Sequence, residues 1–277
     1  MPHTPAMTDT APVGTLDGWA VAPFSSAGLT HDVYERGTGP GVVLVPEVPG
    51  LTPQVLGLAD HLVAAGFTVA VPSPFGEPGR APGVGAVLQV LPRLCVSREF
   101  RAFATDVRRP FSDWLRALAV DLDARTPGPG VGVIGMCFTG GFALAAAVEG
   151  AVLAAVLSQP GVPFAVGRAR AANPGLSGAD LDVVAARAQR GEVCALGLRF
   201  SEDAAVPRAR FETVRRALGG AFEVLELDSS PGNPGGFSRS AHSVLTNEVR
   251  ERPGQPAFEA RERVVAFLRE RLGTAPA

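Results

Sequence analysis

The sequence predicts an α/β fold: a mainly parallel central sheet with helices on both faces. Three observations carry that prediction. Short apolar runs alternate with stretches of helical character through most of the chain, the pattern of successive strand–helix–strand units. Runs such as Val42-Val43-Leu44-Val45 are apolar throughout rather than alternating, as strands covered on both sides are. With 277 residues, 46% hydrophobic and 19% charged, the chain can build a core of ordinary size and is too apolar for disorder. No internal repeat and no linker between two cores is evident, so one domain is expected over 13–277, after a loose tail over 1–12.

Each element has its own justification. Segments 20–24 and 31–35 read as short strands, and 42–45 as a stronger one that ends in the turn-forming Pro46-Glu47-Val48-Pro49-Gly50. Thr52 is a good N-cap and Pro53 a good first helical residue, which places a helix over 53–65. A buried strand follows at 67–71. Segment 72–101 is rich in Pro and Gly and reads as irregular; a connection of that length inside a domain is usually a lid or binding loop. A helix is expected over 111–124, strands over 131–136 and 152–157, and a second irregular stretch up to Ser177. Helix 180–190, strand 193–199, helix 207–218, strand 222–227, a Gly/Pro loop over 231–240 and a closing helix over 257–272 complete the order.

Composition excludes several functions. A net charge of −2 gives no electrostatic case for nucleic acid. The sequence has no lysine, so Schiff-base chemistry and the phosphate-loop lysine are absent. Its three cysteines and four histidines lack metal-ligand or disulfide-framework spacing, and no cofactor is called for. No secretory signal and no membrane-spanning run is read, which makes the cytoplasm the expected compartment and a small molecule the expected partner. Oligomeric state cannot be read.

Chemistry concentrates at Gly135-Met136-Cys137-Phe138-Thr139-Gly140-Gly141. A strand runs into this segment and an alanine-rich helix leaves it, the layout of a nucleophile elbow with sulfur in place of oxygen. The glycines permit a tight turn, and the helix N-terminus favours a thiolate. A cysteine nucleophile needs a base, and the base needs an orienting acid. Asp203 follows the strand over 193–199, and His242 is the histidine on a loop after a late strand. Asp203 could instead cap the helix that begins near Pro207. Cys137 could be an inert buried thiol, the reading taken for Cys95 and Cys194. His3 lies in the tail, and His31 and His61 read as solvated or structural. Glu47 ends an apolar strand between prolines and is either a solvated turn residue or a polar group above the sheet. The N–H groups of Val48 and Phe138 would form a two-donor oxyanion hole.

Together these residues resemble the dienelactone hydrolase family of the α/β-hydrolase fold, from about Val42 to the final helix. Gly135-Met136-Cys137-Phe138-Thr139-Gly140-Gly141 is similar to the family's Gly-x-Cys-x-Gly-Gly elbow with one residue inserted. Asp203-Ala204-Ala205-Val206-Pro207 is similar to its Asp-x-x-Val-Pro, and Ala241-His242-Ser243 to its Gly-His-Ser/Ala. Glu47 falls where the family carries a glutamate. The resemblance implies a cysteine-dependent hydrolase of carboxylic esters or lactones that forms an acyl-enzyme on Cys137. It also implies a resting thiol that Glu47 helps to activate when substrate enters. The family type binds a substrate carboxylate through arginines, one of them four residues after the histidine; that position is Thr246 here. Arg80, Arg98, Arg101 and Arg239 are the candidate replacements. The stretch 94–100 looks like a subfamily lid feature. Two rival readings are a non-catalytic small-molecule binding relative and a thiol redox sensor centred on Cys137.

Overall fold

Two apolar layers, one on each face of a sheet, set the architecture. The computed structural model describes residues 10–273, apart from the side chains of Val84 and Cys95. Most of the expected tail, with His3, and the expectation for the Cys95 thiol lie outside the described residues. Eight strands form one sheet: β1 (Ala20–Ser26), β2 (Leu29–Arg36), β3 (Gly41–Val45), β4 (Thr68–Pro72), β5 (Val131–Met136), β6 (Val152–Ser158), β7 (Cys194–Phe200) and β8 (Phe222–Leu227). Their spatial order is β1-β2-β4-β3-β5-β6-β7-β8. β1 and β2 form a hairpin whose two turn residues, Ala27 and Gly28, have φ of 52° and 76°, the left-handed pair a tight hairpin needs. β2 meets β4 antiparallel, and every later pairing is parallel.

Every residue of β3, β4 and β5 is buried, which is why their sequences do not alternate. On one face, α1 (Pro53–Ala64) and α8 (Pro256–Leu272) bring Val55, Leu62, Val264 and Leu268 against Leu44, Ile134 and Val156. On the other, α3 (Pro110–Arg125), α4 (Gly140–Ala146), α6 (Gly178–Gln189) and α7 (Arg208–Leu218) bring Trp114, Phe142, Val184 and Phe211 against Val43, Val133 and Ala155. The Thr52 hydroxyl accepts the Val55 N–H at 3.3 Å and caps α1 as its sequence predicts.

Segment 72–101 departs from the sequence reading. It holds α2 (Val84–Val96), which tolerates Pro92 in its interior. Leu94 anchors α2 in the core, while Leu88 and Val96 are exposed. A five-residue helix, α5 (Arg168–Ala172), likewise interrupts the stretch after β6. No helix among the described residues is long and apolar enough to cross a membrane.

Candidate active site

β5 delivers Cys137 into a one-turn 3-10 segment, Cys137–Thr139, that leads directly into α4. Cys137 has a φ of 52°. That conformation costs a non-glycine residue about 1–3 kcal/mol and persists only where surrounding contacts hold it. Those contacts are present. The Cys137 carbonyl accepts the Gly161 N–H at 2.8 Å. Buried Thr139 Oγ1 accepts the Met136 N–H at 3.0 Å and lies 2.9, 3.1 and 3.1 Å from the Met136, Val45 and Pro46 carbonyls. It therefore ties the turn to the end of β3. A Cβ on Gly140 would stand 2.6 Å from Pro160 Cα, and one on Gly141 2.7 Å from the Pro174 carbonyl oxygen. The glycines are required by backbone packed against the elbow as well as by the turn.

His242 and Asp203 meet at 2.6 Å, Nδ1 to Oδ2. The other Asp203 oxygen accepts the Ala205 N–H at 3.0 Å. The cap position of α7 belongs to Pro207, with no side-chain cap, so Asp203 serves the imidazole rather than the helix. Cys137 is close enough to His242 to act on its charge. Burial opposes a charge on His242, but its bond to Asp203 and the influence of Asp203 and Cys137 on its charge outweigh that cost and raise its pKa to about 11. Residues from the ends of β5, β7 and β8 thus converge at the carboxyl edge of the sheet, where open α/β sheets place their ligands.

β3 and β5 pair in register, Val45 beside Gly135. Glu47 and Val48 follow the end of β3, and Cys137 and Phe138 follow the end of the neighbouring β5. Glu47 is only 4% exposed. Its Oε2 accepts Gln159 Nε2 at 3.1 Å and Ser243 Oγ at 2.9 Å, and its Oε1 accepts Thr246 Oγ1. It is a polar group above the sheet, not a solvated turn residue. Gln159, at a φ of 36°, is itself held by Ser158 Oγ. Sequence reasoning did not find Thr139, Gln159 or Ser243, and it noted Thr246 only as a departure from the family pattern.

The Phe138 ring lies 5.3 Å from Phe100, 6.1 Å from Phe75 and 6.3 Å from Phe164. Behind Phe75 and Phe100, a cavity of about 480 Å³ runs beneath α2. Of the four candidate arginines, Arg80 lines that cavity, opposite Arg93 and Glu99. Arg239 is paired with Glu202 at 3.1 Å. Arg98 and Arg101 are exposed and do not line the cavity. His31 and His61 lie against Glu99 at 2.6 Å and Glu262 at 3.0 Å, outside the elbow. Cys194 is half-buried at the start of β7.

A family model described as the dienelactone hydrolase family matches residues 30–272. No curated protein sequence matches the chain. Among solved structures, the chain is similar to a dienelactone hydrolase-like promiscuous phosphotriesterase from metagenomic libraries, with a TM-score of 0.62, 16% identity, and coverage of 92% of this chain and 98% of that one. It is similar to a Klebsiella pneumoniae protein provisionally identified as a dienelactone hydrolase, with a TM-score of 0.59, 18% identity, and coverage of 91% and 99%. A puromycin hydrolase shares the fold at a TM-score of 0.59 and 15% identity, with 93% of this chain covering 40% of that one. At these identities the likeness is one of fold, the α/β-hydrolase fold.

Proposed function

The chain belongs to the dienelactone hydrolase family, and from that membership we propose that it is a cysteine-dependent hydrolase of carboxylic esters or lactones. The reading rests on one observation above all: His242 meets Asp203 at 2.6 Å and is under the electrostatic influence of Cys137 on the elbow. With its proton passed to His242, Cys137 Sγ attacks the ester carbonyl carbon, and the carbonyl oxygen takes up negative charge. The Val48 and Phe138 N–H groups receive that oxyanion; donors of this kind are worth about 3–4 kcal/mol of barrier each. As the tetrahedral species collapses, the carbon–oxygen bond breaks and His242 gives its proton to the leaving alkoxide. The acyl group remains on sulfur. His242 then takes a proton from water, the resulting hydroxide attacks the thioester, and the acid leaves with the thiol restored.

Asp203 holds the imidazole by Nδ1 throughout, so its second nitrogen stays directed at the reacting atoms. Glu47 has both oxygens engaged by uncharged donors, and would have to give up one of those bonds to reach the thiol. We assign it to the electrostatics of the site. Segment 72–101, with α2 at its centre, is read as the cover of a small-molecule pocket. Cys137→Ala is expected to abolish hydrolysis of activated aryl esters and simple lactones while leaving the circular dichroism spectrum intact. In the wild-type protein, mass spectrometry of a rapid quench should find the acyl group on Cys137. Undiminished turnover by the alanine variant overturns the reading.

A further inference from the structure

Every hydrogen bond that the buried Glu47 carboxylate accepts from a side chain comes from an uncharged group: the Gln159 amide and the Ser243 and Thr246 hydroxyls. No ion pair to Glu47 occurs among the described residues. A carboxylate kept in a water-poor setting without a counter-ion projects its field into the space beside it. That space is where a substrate carbonyl would sit. Glu47 lies two residues beyond β3, the strand beside the one that leads into Cys137, and Ser243, which holds it, is the residue after His242.

Arg98 and Arg101 are exposed and do not line the cavity, and the other cations nearest the site are committed elsewhere. Arg239 pairs with Glu202. Arg80 and Arg93 share their cavity with Glu77 and Glu99. Arg109 and Arg210 are buried on backbone carbonyls. At the elbow, the carboxylates of Glu47 and Asp203 stand against the single imidazole of His242.

We propose that Glu47 sets the charge class of the substrate: the site takes esters or lactones that are uncharged around the scissile carbonyl and turns away those with a carboxylate there. The proposal rests on the reading of Cys137 as nucleophile, and it works by exclusion, a like charge placed against the wrong ligand.

The test compares iodoacetamide with iodoacetate, reagents of nearly equal size and different charge. With each, Cys137 Sγ bonds to the methylene carbon and iodide leaves. Rates at Cys137 are read by peptide mass spectrometry at low salt and divided by those for 2-mercaptoethanol. The normalised ratio should favour iodoacetamide by about ten-fold or more in the wild type and drop below about three-fold in Glu47→Gln. A ratio near one, a preference for iodoacetate, or a ratio unmoved by the substitution overturns the proposal. Should Glu47→Gln fail to fold, the wild-type ratio decides alone.

A second comparison uses kcat/KM for an aryl butyrate and the matching aryl hemisuccinate. Equal values overturn the charge class and leave the hydrolase reading standing. No turnover of either overturns the hydrolase reading and leaves the alkylation ratio to decide whether Glu47 excludes anions.

Discussion

His242 is the residue on which the electrostatics of the site converge. Burial alone would lower its pKa, but Asp203 and Cys137 reverse the direction and carry it to about 11. The sign of the linkage follows. A histidine whose folded pKa lies above its unfolded value of 6.5 favours the folded state fully below that value, and the advantage fades as pH rises toward 11. Ring-nitrogen NMR of the wild type should therefore show His242 charged and untitrated between about pH 6 and 9. In Cys137→Ser its midpoint should move down, because the sulfur is among the causes of the upward shift. The stability difference between wild type and His242→Gln, from urea melts, should shrink as pH rises through the same window. A wild-type midpoint near 6.5 would show that imidazole and sulfur do not share a proton in the folded protein.

At the scale of the element, the elbow depends on contacts that its own glycines make possible. A methyl group on Gly140 would meet Pro160 backbone at 2.6 Å, whereas one on Gly85, near the start of α2, has nothing within 4 Å. Gly140→Ala should destabilise by about 1–3 kcal/mol through overpacking. Gly85→Ala should stabilise by up to about 1 kcal/mol, because alanine is the better helix former. Chemical denaturation of both variants checks the pair, and a neutral Gly140→Ala would mean the elbow can shift away from Pro160. The same element shows what the sequence reveals and what it hides. β5 coincides with the apolar run 131–136, because a strand buried on both faces needs continuous apolar sequence, and β8 coincides with 222–227 although it is an edge strand that carries Glu223 and Glu226. Cys137, Asp203 and His242 are legible because each sits in a short local motif after a strand. α2 is not, because the Pro- and Gly-rich approach to it and Pro92 within it mask the helical period. The holders of Glu47 are not legible either. Gln159, Ser243 and Thr246 lie 112, 196 and 199 residues from it in sequence, and an amide or hydroxyl carries no local sign of a partner that distant.

Across the whole molecule, the parallel order β3-β5-β6-β7-β8 brings five strand ends to one edge, but the sheet alone does not close the site. The chain after β6 does that, and buried arginines hold it. From α7, Arg210 donates through Nε to the Asn173 carbonyl at 2.8 Å and through Nη2 to Pro163 and Arg170 at 2.5 and 3.2 Å; its Nη1 donates to Pro160. Just ahead of α3, Arg109 donates to Ala104 at 2.7 Å and to Gly175. Burial, and then a neighbouring arginine in each case, lowers both pKa values to about 10, so both remain charged at neutral pH. The segment they grip supplies the Gly161 N–H that holds the Cys137 carbonyl, and Phe164, whose ring faces Phe138. Hydrogen bonds from a charged donor are worth about 1.5–3 kcal/mol each. Removing the guanidinium also removes its desolvation cost, so Arg210→Met should cost a net of about 2–4 kcal/mol. The loss should be local before it is global: amide exchange should accelerate over 160–175 while the α1 and α8 face keeps its protection, and KM should rise more than kcat falls. Uniform loss of protection across both faces would instead make Arg210 a general stabiliser, with no particular hold on the wall of the site.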